Sequence, residues 1–115
     1  VKRSFRLTRS TDFQRVRRTG KSYAHPLLVL IAHPNDLAHV RVGVAAGRGV
    51  GNAVERSRAK RLLRAAIRPL LPGIAVGYDL LLIARAPMLD QKSPAVQAAL
   101  EKKLIQAGLM ETDAH

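Results

Sequence analysis

The chain has no cysteine and no tryptophan, and its only aromatics are two Phe and two Tyr in 115 residues. Without cysteine it has no disulfides and no thiolate metal sites, which fits a reducing compartment. With aromatics at 3% and apolar residues at 47%, its core has to be built from Leu, Val, Ile and Ala. No apolar run approaches the roughly 18 to 20 residues that span a bilayer. The opening Val1-Lys2-Arg3-Ser4-Phe5-Arg6-Leu7-Thr8-Arg9 lacks the apolar stretch of a secretory signal. Together these absences predict a cytoplasmic protein with no membrane partner.

Acidic residues are scarce as well. Eight Asp and Glu stand against 20 Lys and Arg, a net charge of +12. The excess is uneven: residues 1–68 hold 16 basic and 3 acidic side chains, and residues 69–115 hold 4 and 5. Such self-repulsion opposes folding and speeds encounter with anionic partners. Nucleic acid is the commonest of these. An anionic membrane surface is the competitor, but the most basic segment lacks the Trp or Phe of an interfacial anchor.

Along the chain, Ser10 or Thr11 can cap a short helix that has Asp12 in its first turn, Gly20 at its end, and Phe13 and Val16 as its apolar face. Residues 27–33 form an apolar run of strand length, followed by a turn at Pro34-Asn35-Asp36. Residues 40–46 alternate as a half-buried strand. Residues 53–68 predict a long helix, with Asn52 and Glu55 as a capping box and Pro69 and Pro72-Gly73 as its stop. Residues 78–85 read as a central, fully buried strand. Ser93 as cap and Pro94 open a last helix with Val96, Leu100, Leu104 and Ala107 on one side. No repeat or linker divides the chain. The order predicts one α+β domain over residues 1–115, a two-layer sandwich of a small sheet with helices over one face.

The helix over residues 53–68 carries the strongest signal. At 100° per residue, Ala59, Leu62, Leu63 and Ala66 share one stripe. Ser57, Lys60, Arg61, Arg64 and Arg68 share another about 160° away, flanked by Arg56 and Arg58. Solvated charged faces normally mix signs, and only Glu55 offsets this one. Guanidinium groups suit phosphate because their planar fork binds two oxygens at once. Residues 60 to 68 cover about 12 Å of helix, enough for two or three phosphates.

Other chemistries find no support. Gly47, Gly49 and Gly51 are not a P-loop, since Asn52-Ala53 stands where Lys-Ser/Thr is needed, and neither dinucleotide register finds its third glycine. They leave a turn whose N–H groups can receive a phosphate. His25, His33, His39 and His115 lack metal-ligand spacing, and no nucleophile–base set or carboxylate pair is arranged for catalysis. No catalytic residue and no metal ligand is assigned.

The segment Gly51-Asn52-Ala53-Val54-Glu55-Arg56-Ser57-Arg58-Ala59-Lys60-Arg61-Leu62-Leu63-Arg64 resembles the signature helix of the bacterial ribonuclease P protein subunit, whose usual core reads Arg-Asn-Arg-x-Lys-Arg-x-x-Arg. Arg6-Leu7 with Asp12-Phe13-Gln14-Arg15-Val16 and Gly20, then Val42-Gly43-Val44, Gly77-Tyr78-Asp79 and Ile83-Ala84-Arg85, resemble the family's flanking segments. The resemblance covers about residues 5–108, with a short flexible C-terminal tail beyond. It implies a left-handed βαβ crossover, in a fold like the second domain of a small-subunit ribosomal protein. It implies an accessory subunit of an endoribonuclease holoenzyme that removes the 5′ leader of precursor tRNA, with the chemistry done by a catalytic RNA and Mg²⁺ held mainly by that RNA. The partners implied are the catalytic RNA and precursor tRNA, with no protein oligomer required. Carried over by position, Arg48, Asn52, Arg56, Arg58, Lys60, Arg61, Arg64 and Arg68 face the catalytic RNA, and Phe13, Arg17 and Ile31 belong to a leader-binding cleft. A structural RNA-binding protein of ribosomal type is the alternative.

Three departures stand out. Ser57 replaces the family's usual Asn, Gly49 a common Lys, and Arg17 and Ile31 the usual cleft aromatics. Phe13 then remains, with Tyr23 nearby in sequence. Base stacking on an aromatic is worth roughly 1 to 3 kcal/mol per base, so leader binding here should lean on arginine and weaken steeply with salt. Leader affinity measured across a salt series checks this; a flat series contradicts it.

Overall fold

A computed structural model describes Arg6 and residues 10–111. Its elements run α1 (Ser10–Thr19), β1 (Lys21–Ala24), β2 (Leu28–Pro34), β3 (Arg41–Ala46), α2 (Ala53–Ile67), β4 (Tyr78–Ala84) and α3 (Ser93–Gln106), with 3₁₀ turns at Arg68–Gly73 and Ala86–Asp90. The sheet order is β1-β2-β4-β3. β1/β2 and β2/β4 are antiparallel, and β3/β4 are parallel. Parallel neighbours need a crossover, and α2 supplies it. Arg6 makes a parallel bridge to Val42 at the outer edge of β3.

The strand register explains the layering. One face carries Val42, Leu80 and Ala32 in one row, and Val44, Leu82 and Leu30 in the next. α2 packs there through Ala59, Leu63, Ala66 and Ile67, and α3 through Val96, Ala99, Leu100 and Leu104, to make the main core. The alternate residues of the central strands are apolar too, because β2 and β4 are nearly continuous apolar runs. The opposite face therefore needs cover of its own, and α1 provides it. Val16 is fully buried against Ile31 and Leu81. The expectation of helices over one face holds for α2 and α3 and fails for α1.

α1 is pinned at one end by charge. Asp79 on β4 is the only buried charged side chain among the described residues. Its carboxylate accepts two hydrogen bonds from Arg41 on β3 (2.8 and 2.7 Å), one from Arg15 on α1 (2.9 Å) and one from Asn35 (2.9 Å). Asp12 adds contacts to Arg15 at 3.2 Å and Arg41 at 3.5 Å. Burial by itself would push Asp79 upward. The hydrogen bonds from Arg41 and Asn35, with the charges of Arg41 and Arg15, overcome it and hold the carboxyl below its ordinary 3.8.

Four local expectations are corrected. β1 had no sequence signal, since Lys21-Ser22-Tyr23-Ala24 is a short polar edge strand. The last helix is capped at Lys92, which makes no side-chain cap bond; Ser93 is already helical, with Pro94 in the first turn. α2 ends at Ile67, and the prolines after it turn the chain through the Arg68–Gly73 3₁₀ segment. The chain beyond 108 is not free at once: Leu109 is buried, and its carbonyl accepts the Ala75 N–H at 2.8 Å. Gly20 ends α1 as expected, but space is the reason. A Cβ there would lie 2.5 Å from the Val16 carbonyl oxygen and 2.6 Å from Ile31.

Asp79→Asn removes the charge that two guanidinium groups share, and should cost about 2 to 4 kcal/mol at neutral pH. The folded carboxyl is depressed, so its contribution is complete above the unfolded value and lost as pH falls below it. Urea unfolding of wild type and variant should therefore show a gap at pH 7 that narrows by about pH 3. A constant gap would mean that the charge of Asp79 is not what holds α1.

Candidate nucleic-acid interface

α2 presents its two stripes as its periodicity predicts. Ala59, Leu63 and Ala66 are buried and Leu62 is half-buried, while Arg58, Arg61, Arg64 and Arg68 are exposed and Arg56 and Lys60 half-exposed. Every ion pair among the described residues belongs to the Asp12–Arg15–Arg41–Asp79 cluster. The α2 cations therefore carry no counter-charge there. Arg58 differs from the others in donating to the Leu89 carbonyl at 2.9 Å, which ties α2 to the Ala86–Asp90 turn. A hollow of about 410 Å³ opens beside it, where Arg58 and Arg61 meet Lys92 and Ser93. Lys92 was not foreseen, because only packing brings the start of α3 to α2.

The turn before α2 differs from the phosphate cradle its glycines suggested. The Val50 N–H donates to Gly47 (3.0 Å), the Gly51 N–H to Arg48 (3.2 Å) and the Asn52 N–H to Glu55 (3.0 Å), so these donors close the turn and the capping box. The Asn52 side-chain oxygen accepts the Glu55 N–H at 2.9 Å, which commits it to starting the helix. Gly51 is demanded by the fold, at φ +150° with the Glu55 side chain where a Cβ would stand. Gly47 and Gly49 face open space. Arg48 is exposed between them.

On the α1 face, the register sets three rows across the sheet. Arg41, Asp79 and His33 form one, and Gly43, Leu81, Ile31 and Ser22 the next. α1 lies over these two through its ion cluster and Val16. The third row, Ala45, Ile83, Val29 and Ala24, keeps partial exposure. A groove of about 410 Å³ runs beside it, with Ala45, Ala46, Ile83 and Ala84 in its floor, Gly47, Gly49 and Val50 on one wall, and Arg17 and Arg85 at its rim. Of the three expected cleft residues, Arg17 is there. Phe13 is half-buried against the Val16–Ile31–Leu81 cluster. Ile31 is 4% exposed and belongs to that small core, under α1, so it offers no surface. Tyr23, near in sequence, pairs with Leu30 and packs against the main core on the other face. Ala45, Ile83 and Arg85 were missed, because only register shows which odd-numbered strand positions α1 leaves bare.

The groove and the basic helix meet at the 47–51 turn, with the cationic stripe of α2 on one side of it and an apolar trough rimmed by arginine on the other. The family model described as "Ribonuclease P" matches residues 1–108. The chain belongs to this family. Among its relatives, the ribonuclease P protein component of Chloroflexus aggregans is 40% identical over 97% of this chain and 84% of its own. That of Roseiflexus castenholzii is 38% identical over 96% and 92%. The Staphylococcus aureus RNase P protein structure superposes with a TM-score of 0.81 at 30% identity, covering 93% of this chain and 98% of that one. The Thermotoga maritima RNase P protein superposes at 0.78 and 26%, covering 88% and 96%. Membership makes the chain a component of an endoribonuclease assembly with an RNA partner. Among the described residues no helix is long and apolar enough to cross a membrane.

Arg61 and Arg64 are exposed and pair with no acid among the described residues, so replacing both by Ala should leave the fold intact and weaken RNA binding. The slope of log K against log salt should lessen by about 0.7 to 0.9 per lost phosphate contact. An unchanged slope in filter-binding titrations would place the RNA elsewhere.

Proposed function

We propose that this chain is the protein subunit of a cytoplasmic ribonuclease P that holds the catalytic RNA with α2 and the 5′ leader of precursor tRNA in the groove, so assisting endonucleolytic release of the leader. The observation that carries the reading is the junction just described: a basic stripe with no acidic partner among the described residues, joined through the 47–51 turn to an apolar groove rimmed by arginine. Arg56, Arg58, Lys60, Arg61, Arg64 and Arg68 neutralise phosphates of the catalytic RNA. Arg48 projects from a turn where Gly47 and Gly49 leave room for a backbone to come close. Asn52 acts by fixing the turn against the helix.

In the groove, Ala45 and Ile83 give an apolar floor for bases, and Arg17 and Arg85 reach the phosphates between them. Phe13, half-buried against Val16, Ile31 and Leu81, lies outside the groove's lining. An arginine-rimmed, aromatic-poor trough grips a leader by charge more than by stacking, without reading its sequence.

The phosphodiester chemistry is assigned to the RNA partner with Mg²⁺. Among the described residues no three of His, Cys, Asp or Glu come together. No protein step is assigned to a metal. The protein's part is to bind, orient and offset charge where two polyanions meet, which lets the assembly work at lower Mg²⁺.

The test is reconstitution. Catalytic RNA with the full chain should cleave precursor tRNA at low Mg²⁺ faster than RNA alone, and should bind precursor tRNA more tightly than leaderless tRNA. No gain in rate refutes the reading. Hydrolysis by the chain without RNA would move the chemistry onto the protein.

A further inference from the structure

Lys92 breaks a local rule. It is the N-cap of α3, with the extended backbone a cap adopts (φ −100°, ψ 163°), and its side chain makes no cap bond. Its carbonyl accepts the Ala95 and Val96 N–H groups at 3.0 and 3.3 Å, so the backbone part of the cap is in place. Ser, Thr, Asp and Asn are preferred here because their side-chain oxygens accept an orphan N–H of the first turn. A lysine side chain offers no acceptor, and its charge opposes the positive end of the helix dipole. Ser93, one residue later, has the right chemistry and is already helical. The start of α3 is therefore less stable than a single exchange would make it. Departures of this kind collect at functional positions.

The surroundings of Lys92 account for the exception. It lines the hollow of about 410 Å³ between α2 and the start of α3, together with Arg58, Arg61, Gln91 and Ser93. Three cations from two helices thus border one concavity, and no acid lines it. Asp90, the nearest acid in sequence, is exposed and makes no ion pair among the described residues. The side chains of Gln91, Lys92 and Ser93 make no hydrogen bond among the described residues. Arg58 is set in place by its bond to the Leu89 carbonyl at 2.9 Å. Arg61 joins the hollow to the basic stripe: at 100° per residue it lies about 20° from Arg68 and about 60° from Arg64 on one side, and about 60° from Arg58 on the other. The hollow is therefore the flank of the stripe that turns toward α3. α2 and α3 pack on the sheet face opposite α1 and the groove, so a polyanion on this flank is the one that α2 meets.

We propose that this hollow is a phosphate site for the catalytic RNA, in which Lys92 from α3 joins Arg58 and Arg61 from α2. The site rests on the reading of α2 as the face toward that RNA, and it widens the face from one helix to two. Its ligand is the RNA backbone, so it sets position without reading sequence. A bound phosphate offsets the charge that Lys92 brings to the helix start.

The test is filter binding of the catalytic RNA to the full chain across a salt series, paired with urea unfolding of the free protein. Lys92→Ser removes the charge and supplies the missing cap acceptor. It should raise the urea midpoint, weaken RNA binding roughly three- to tenfold at low salt, and lessen the salt slope by about 0.7 to 0.9. Lys92→Arg should bind nearly as wild type. Lys102→Gln, which removes an exposed lysine of the same helix outside the hollow, should also bind as wild type. Unchanged affinity and slope for Lys92→Ser overturn the site, and so does an equal loss for Lys102→Gln, which would make the effect one of net charge. A lower urea midpoint together with weaker binding would make Lys92 a structural residue and overturn it as well. If Arg61→Ala with Arg64→Ala left RNA binding unchanged, the reading of α2 would fall and take the hollow with it. If that pair weakens binding and Lys92→Ser does not, only the hollow is lost.

Discussion

The buried carboxylate of Asp79 is the constraint on which the functional face depends. A lone charge on a central strand would be costly to bury. Here it is answered by Arg41 from the parallel neighbour, Arg15 from α1 and Asn35 from the loop after β2. Those partners come from three separate segments, so the pairing sets where α1 sits as well as satisfying a charge. With Asp12 and Arg15 held at one end of the sheet and Val16 seated on Ile31 and Leu81, the ten-residue α1 covers two rows and leaves the third partly exposed. The groove is what remains of a sheet face that a short, anchored helix does not cover.

Charge is used in two opposite ways in the same molecule. At Asp79 it is buried, matched and fully hydrogen-bonded. Along α2 it is exposed and unmatched among the described residues, and its mutual repulsion is a standing cost that an approaching polyanion relieves. The capping box at Asn52 and Glu55 and the Arg58–Leu89 contact keep the stripe's start and turn in place while its remaining cations stay available. Preorganised charge of this kind raises the rate and affinity of RNA association without demanding sequence recognition.

Much of the α2 site was legible because helical periodicity is a local property: Ala59, Leu63 and Ala66 fell inward and Arg61, Arg64 and Arg68 outward as counted. The capping box was legible for the same reason. The groove was not. Ile31 stands where a cleft residue was expected and lies under α1 instead. Tyr23 lies on the opposite face, and β1 itself went unseen because a four-residue polar edge strand carries no periodic signal. Which alternate residues of an apolar strand are covered depends on the helix lying over them.

By itself, then, the sequence determined the element types, the basic stripe, the capped start of α2 and the kinship those residues carry, since each is set by spacing along one segment. Tertiary structure alone decided that α1 takes the face opposite α2 and α3, and that Arg17 and Arg85 share one groove. Those are relations between segments tens of residues apart. Strand register and the Asp79 ion cluster establish them, and neither can be read from any single stretch of the chain.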